Sequence, residues 1–119
     1  AGLTPVVQPL AISEQGDALN VDADRAAAMI AGALGAEQLI LLTNVPGLMR
    51  SYPDESTVIP YIERSQVESA LALAEGRMKK KVLGAMEALD QGVGKIIFAD
   101  GRIEHPLLAA LEGKGTVIS

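Results

Sequence analysis

The chain has 119 residues, room for one compact domain and too few for two ordinary ones. It is 49% hydrophobic but only 3% aromatic, so its core must be aliphatic, which favours helices laid on a parallel sheet over an all-β sandwich. The net charge of -5 disfavours general nucleic-acid binding, the absence of cysteine excludes disulfides, thiolate metal sites and thiol nucleophiles, and one histidine, His105, leaves no room for a His-rich metal site.

Thr4 to Leu10 reads TPVVQPL and predicts a short buried strand ending at Pro9. Ile12 to Leu19 carries Ser13, Glu14, Gln15, Gly16 and Asp17, which is loop chemistry. Ala23, Ala26, Ala27, Ile30 and Leu34 then recur at helical spacing, Gly35 is a stop, and the acidic residues at the front suit the positive end of a helix dipole. Gln38 to Thr43 (QLILLT) predicts a strand covered on both faces, hence a parallel one. Asn44-Val45-Pro46-Gly47 turns at its C-terminal edge, and Arg50 to Thr57 reads as a polar loop. Helices are expected from Ser65 to Ala74 and from Gly76 onward, the second with an apolar stripe of Met78, Val82, Ala85, Met86 and Leu89 ended by Gly92 and Gly94. Lys95 to Ala99 (KIIFA) is a second buried strand, Pro106 to Leu111 a short helix begun at His105, and Thr116 to Ile118 a last short strand. Alternation of this kind predicts an α/β layered domain with a mainly parallel sheet. The longest apolar runs are too short to span a bilayer and no signal peptide is visible, so the expected compartment is the cytoplasm, with no membrane partner. The opening at Ala1 looks like a chain cut from something longer, although removal of Met before Ala would give the same first residue.

Ligands of open parallel sheets gather at the C-terminal ends of strands. Two loops meet that test, Thr43 to Leu48 and Ala99-Asp100-Gly101, and each can equally be a plain turn. Lys79, Lys80 and Lys81 point about 100° apart on a helix. Lys80 then faces solvent, while Lys81 neighbours Ala85 and Ala88, small residues that leave a ligand space. A helix start at Gly76 adds orphan N–H donors suited to phosphate. The alternative is a solvated basic face. Asp24, in the first turn of its helix, can stay ionised and orient a lysine, or can share an N-terminal capping box with Asp22; Asn20 can be only a capping or turn residue.

Three ordered motifs carry a family resemblance. LNVDADRAAAMIAGALGAEQLILLTNVPGL (Leu19 to Leu48), GRMKKKVLGAMEAL (Gly76 to Leu89) and DGRIEHPLLAAL…GKGTVI (Asp100 to Ile118) closely resemble the nucleotide-binding, C-terminal half of the amino-acid kinase superfamily, in its branch of acetylglutamate kinases and carrier-protein aminoadipate kinases. The resemblance implies a three-layer αβα sandwich, ATP as phosphoryl donor, and Mg2+ held mainly through the nucleotide. It implies that Asn20 binds the α-side groups of the amino-acid substrate, that Asp24 organises the catalytic lysines, and that Lys81 stabilises charge on the transferring phosphoryl group. Thr43, Asn44, Val45, Pro46, Gly47, Leu48 and Met49 would lie on one side of the nucleotide, with Gly76, Arg77 and Met78 on the other.

The implied reaction is in-line transfer of the γ-phosphoryl group to a side-chain carboxylate, resting on positioning and charge neutralisation. Gly-Arg-Met in place of the common Gly-Gly-Met, the three lysines, and Ser51-Tyr52-Pro53-Asp54-Glu55 look more like kinases whose aminoadipate or glutamate is mounted on a small acidic carrier protein, a partner that the exposed bases could steer. N-acetylglutamate is the other substrate in view. Glutamate 5-kinase, aspartokinase and uridylate kinase fit the combination of Asn20, Asp24 and GRMKKK less well. The family's N-terminal glycine-rich strand–turn–helix and first catalytic lysine have no counterpart in this sequence. The expectation is a single lobe needing that N-terminal lobe as partner, with a homo-oligomer formed by the longer protein. The competing expectation is a nucleotide-binding, catalytically incomplete or regulatory module.

Overall fold

The computed structural model describes residues 2–119. It opens with an antiparallel hairpin of β1 (Leu10–Ile12) and β2 (Ala18–Asn20), in which Leu10 stands opposite Asn20. The expected strand ending at Pro9 therefore begins after that proline, and the expected loop from Ile12 to Leu19 is a hairpin turn. The reason is local. Pro9 has no N–H to give a ladder, whereas Ser13 closes the turn twice: its N–H donates to the Asp17 carbonyl at 2.9 Å, and its hydroxyl accepts from the Asp17 N–H at 3.0 Å.

The next elements are α1 (Ala23–Ala33), β3 (Gln38–Thr43), the two-residue strand β4 (Tyr61–Ile62), α2 (Val67–Leu71), α3 (Arg77–Asp90), β5 (Lys95–Asp100), α4 (Pro106–Leu111) and β6 (Thr116–Ile118). Tight 3₁₀ turns cover Glu55–Thr57 and Arg64–Gln66. Much of the helix expected from Ser65 to Ala74 is thus irregular: a 3₁₀ turn leads in, and Leu73 and Ala74 bond back only three residues, to Ala70 and Leu71.

The main sheet has the order β3-β5-β6-β4. β3 and β5 are parallel over six pairs, from Gln38 opposite Lys95 to Thr43 opposite Asp100. β6 runs antiparallel to β5, and β4 parallel to β6, so two of the three ladders are parallel. β5 alternates between two cores. Ile96 and Phe98 join the cluster under α1, α2 and α3, while Ile97 and Ala99 meet Ala110 of α4 on the other face. These are the three layers of an αβα sandwich. Coverage on both faces, expected of both long strands, holds fully for β5 only. Among the described residues β3 has a single neighbour, and its Leu42 remains 41% exposed.

The stripe of α3 packs largely as its spacing predicts: Met78, Val82, Ala85 and Leu89 are buried, while Met86 at its edge is half-buried. The face of α1 does not. Ala28 and Ala31 are its buried residues, whereas Ile30 and Leu34 of the expected stripe are exposed. An alanine-rich helix is apolar almost all round, so periodicity cannot choose its face; the close approach of α3 does. Among the described residues no helix is long and apolar enough to cross a membrane.

Val82 is fully buried in this packing, and Lys80 on the same helix is exposed. Val82→Ala should therefore cost about 1–3 kcal/mol in equilibrium urea unfolding, against less than about 0.5 kcal/mol for Lys80→Ala.

Candidate functional site

Because β3 and β5 are parallel and in register, the two loops singled out in the sequence emerge side by side, Thr43 beside Asp100. The Gly101 N–H donates to the Thr43 carbonyl at 2.7 Å and ties the two strand ends together. α3 starts beside them. Its N-cap, Gly76, has φ 55° and ψ -124°, a conformation that disfavours a side chain. Fewer helix-start donors are open than expected, since the N–H groups of Met78 and Lys79 bond the carbonyls of Glu75 and Gly76.

Lys81 and Asp24 meet across the α1–α3 contact. The Lys81 ammonium donates to both carboxylate oxygens of Asp24, at 2.9 Å to Oδ1 and 3.2 Å to Oδ2. The two side chains are only 15% and 23% exposed. Two local features free Asp24 for this pair. Asp22 alone caps α1, accepting the Arg25 N–H at 3.0 Å. Gly84 lets the helices close up, since a Cβ there would stand 3.3 Å from the Asp24 carbonyl oxygen. Ala85 and Ala88, expected to leave ligand space, are instead buried in one cluster with Ala28 and Ala31, where their smallness admits α1. Arg25 adds a second tie, donating from Nε to Glu87 at 2.7 Å.

Lys81 also lines a cavity of about 450 Å³ with Leu42, Thr43, Asn44, Arg77, Gly101 and Arg102. A second cavity, about 280 Å³, is bounded by Asn44, Val45, Tyr52, Glu75, Gly76, Arg77 and Met78. Asn44 and Arg77 line both, so the two cavities adjoin along one side of the sheet edge and are treated together as a groove. The first carries three cationic side chains, Arg77, Lys81 and Arg102; the second carries Val45, Tyr52 and Met78 beside Glu75 and the shared Arg77. Phosphates suit the first end and a flat nucleobase the second.

Thr43, Asn44, Val45, Gly76, Arg77, Met78 and Lys81 are thus brought together. Thr43 is buried, and its hydroxyl bonds the Met78 sulfur at 3.7 Å, linking the β3 end to the helix start. Pro46, Gly47, Leu48 and Met49 line neither cavity. Leu48 is held in the core, its N–H donating to the buried Thr116 hydroxyl at 2.9 Å, and Met49 is buried beside it. Asn20 ends β2, exposed and outside both cavities. His105 starts α4 with φ 51° and its side chain in solvent. Arg102 and Tyr52 were not read as site residues from sequence. The signal available was the position of Arg102 just beyond the end of the second buried strand.

Arg102 is organised by Asp100. Its hydrogen bonds hold the Asp100 carboxyl below the usual carboxylate range, against a smaller opposing effect of burial, and the same pairing raises the guanidinium further. Asp54, in the loop before Glu55, is also lowered, by hydrogen bonds from the Ser56 side chain and backbone.

Removing Asp24 would leave the Lys81 ammonium largely buried without its partner. A double-mutant cycle of Asp24→Ala and Lys81→Met should give a coupling of about 1–3 kcal/mol in urea unfolding. Additive losses would mean that the pair contributes nothing to the α1–α3 contact.

The amino acid kinase family model matches residues 1–100. LysW-aminoadipate kinase of Deinococcus radiodurans is 57% identical over the whole chain, which spans 41% of that relative. LysW-aminoadipate kinase of Thermus thermophilus is 48% identical over 99% of the chain and 45% of its own length. Acetylglutamate kinase of Nostoc punctiforme is 41% identical over 98% of the chain and 41% of its own length. The chain therefore spans less than half of these curated relatives. Among solved structures, N-acetylglutamate synthase from Neisseria gonorrhoeae complexed with coenzyme A and N-acetyl-glutamate superposes with a TM-score of 0.82 and 32% identity, over 93% of this chain and 26% of that one. Carbamate kinase from Giardia lamblia bound to AMP-PNP gives a TM-score of 0.71 and 25% identity, over 92% of this chain and 36% of that one. From sequence and fold alike, the chain belongs to the amino acid kinase family.

Proposed function

We propose that this chain is the nucleotide-holding half of a kinase that phosphorylates the side-chain carboxylate of a blocked acidic amino acid. The observation that carries the reading is the Lys81–Asp24 pair at the wall of a groove with a cationic end and an end that holds Val45, Tyr52 and Met78. The groove suits a nucleoside triphosphate such as ATP, its base toward Val45, Tyr52 and Met78 and its phosphates toward Arg77 and Lys81. Of the three ammonium protons of Lys81, two are engaged by Asp24, leaving one for a phosphoryl oxygen. Among the described residues no three His, Cys, Asp or Glu side chains converge as a metal site. Mg2+ is assigned to the triphosphate that it would accompany.

In the reaction a carboxylate oxygen attacks the γ-phosphorus, the bond to the β-phosphate bridging oxygen breaks, and the products are an acyl phosphate and ADP. No proton need move, because the attacking carboxylate is already ionised at neutral pH. The task left to the protein is to hold the two anions together and to offset their charge. Asp24 keeps the Lys81 ammonium fixed for that purpose, and Asn20 is assigned to the acceptor's α-side groups.

The higher identity to two relatives named LysW-aminoadipate kinase than to one named acetylglutamate kinase favours aminoadipate or glutamate on a small acidic carrier protein over N-acetylglutamate. Lys79, Lys80 and Arg77 are exposed where such a partner could be steered. The setting is lysine or arginine biosynthesis in the cytoplasm. The remaining machinery belongs to an N-terminal lobe, in a protein that forms homo-oligomers. β3, with one neighbour in the sheet, leaves a backbone edge available to that lobe.

A second reading has a specific point in its favour: one similar solved structure is a synthase, so the fold is not confined to kinases. On that reading the chain binds nucleotide as a catalytically incomplete or regulatory module. Turnover separates the two. In the complete kinase, with carrier-bound aminoadipate, N-acetylglutamate, glutamate and UMP offered in turn, Lys81→Ala should lower turnover of the accepted substrate at least about a hundredfold. Near-normal activity of that variant would reject the role given to Lys81. Nucleotide binding with no turnover in any context would favour the module.

A further inference from the structure

Arg102 is the one cationic residue of the groove wall that neither the motifs nor the proposed reaction has given a task. It follows Asp100, the last residue of β5, and Gly101. A Cβ at Gly101 would stand 3.3 Å from the Leu42 Cβ and 3.4 Å from the Thr43 carbonyl oxygen. That close approach folds the chain against the end of β3 and brings Arg102 into the same cavity wall as Thr43, Asn44, Arg77 and Lys81.

Its guanidinium is held more firmly than surface arginines usually are. Nε donates to Asp100 Oδ1 at 2.9 Å and Nη2 to Asp100 Oδ2 at 2.8 Å, a two-point fork, while the Arg102 backbone N–H donates to the same Oδ1 at 2.9 Å. Asp100 is only 13% exposed and so is itself a fixed anchor. Nη2 also reaches Glu55 Oε1 at 3.3 Å, across to the Glu55–Thr57 turn; that pair is half exposed on both sides and weak. Among the described residues, Nη1 donates to no protein group. The fork therefore fixes the plane of the guanidinium and leaves its Nη1–Nη2 edge engaged only by the weak Glu55 contact, in a cavity also lined by Lys81 and Arg77. Two-point recognition of phosphate oxygens is what such an edge does best, and a pre-oriented side chain loses little rotamer freedom in doing it.

We propose that Arg102, oriented by Asp100, is a binding residue for the phosphates of the nucleoside triphosphate, acting beside Lys81. This rests on the kinase reading of the groove. It gives Arg102 a binding task and leaves charge compensation at the transferring group to Lys81. Glu55 then competes with the phosphates for Nη2 and acts as a mild brake on nucleotide binding.

The test is steady-state kinetics of the complete kinase with ATP varied. Arg102→Gln should raise the KM for ATP about tenfold while kcat stays within about threefold, because the lost contact is made equally in the ground and transition states. Glu55→Gln, which removes the competitor, should leave KM unchanged or lower it. An unchanged KM in Arg102→Gln overturns the proposal, as does a fall in kcat with KM intact. An equal rise of KM in Glu55→Gln also overturns it, since the arginine would then act only by anchoring the turn. Lys81→Ala, measured alongside, judges the kinase reading separately: retained turnover there defeats that reading, whereas lost turnover with a neutral Arg102→Gln defeats only the inference about Arg102.

Discussion

The arrangement of the groove depends on how closely α1 and α3 approach. Two oppositely charged groups, Lys81 and Asp24, are held at hydrogen-bonding distance in a contact whose buried centre is alanine and glycine, with Arg25 and Glu87 pairing at its more exposed side. Bulkier residues at Gly84, Ala85 or Ala88 would force the helices apart and separate the pair. Burial also makes the pair consequential: a half-solvated ion pair contributes little, whereas stripping one partner from a largely buried one leaves an uncompensated charge. The ammonium is accordingly fixed at the wall of the groove before any ligand arrives.

The rest of the site follows from the sheet. Parallel pairing of β3 with β5 sets Thr43 beside Asp100, and α3 begins next to that edge, so three chain segments far apart in sequence deliver their polar ends to one place. The segments differ in rigidity. Thr43 is tied to Met78 and Arg102 to Asp100, so parts of the groove wall are held in place, while Asn44, Arg77 and Tyr52 present exposed side chains without such ties. Binding to preformed walls costs less ordering, as suits an enzyme whose contribution is placement.

How much of this was legible beforehand varied with the physics of each segment. β3 and β5 were readable because continuous apolar runs between turn residues have few other solutions, and the two loops at their ends followed from the strand-end rule. The hairpin of β1 and β2 was not, since its strands are exposed and carry no alternation; it is closed by Ser13 and Asp17, whose pairing is invisible in composition. The buried face of α1 was misread because Ile30 and Leu34 outweigh alanines in any hydrophobic pattern, yet only alanines fit against Gly84 and Ala85. A carboxylate in the first turn of a helix can cap it or pair with a lysine, and Asp24 pairs with Lys81 because Asp22 takes the cap, which the sequence does not show. Arg102 went unnoticed because its meaning lies in the company it keeps: a fork to Asp100, a link to a residue 47 positions earlier, and a shared wall with Lys81.

The central claim is that one groove, running from Val45 and Met78 to Lys81 and Arg102, receives a nucleoside triphosphate. Amide chemical-shift mapping of the 119-residue chain titrated with AMP-PNP and Mg2+ tests it most directly. The account expects saturable shifts concentrated at Thr43 to Val45, Gly76 to Met78, Lys81 and Gly101 to Arg102. Shifts centred on the β1–β2 hairpin, or none at millimolar nucleotide, would contradict it.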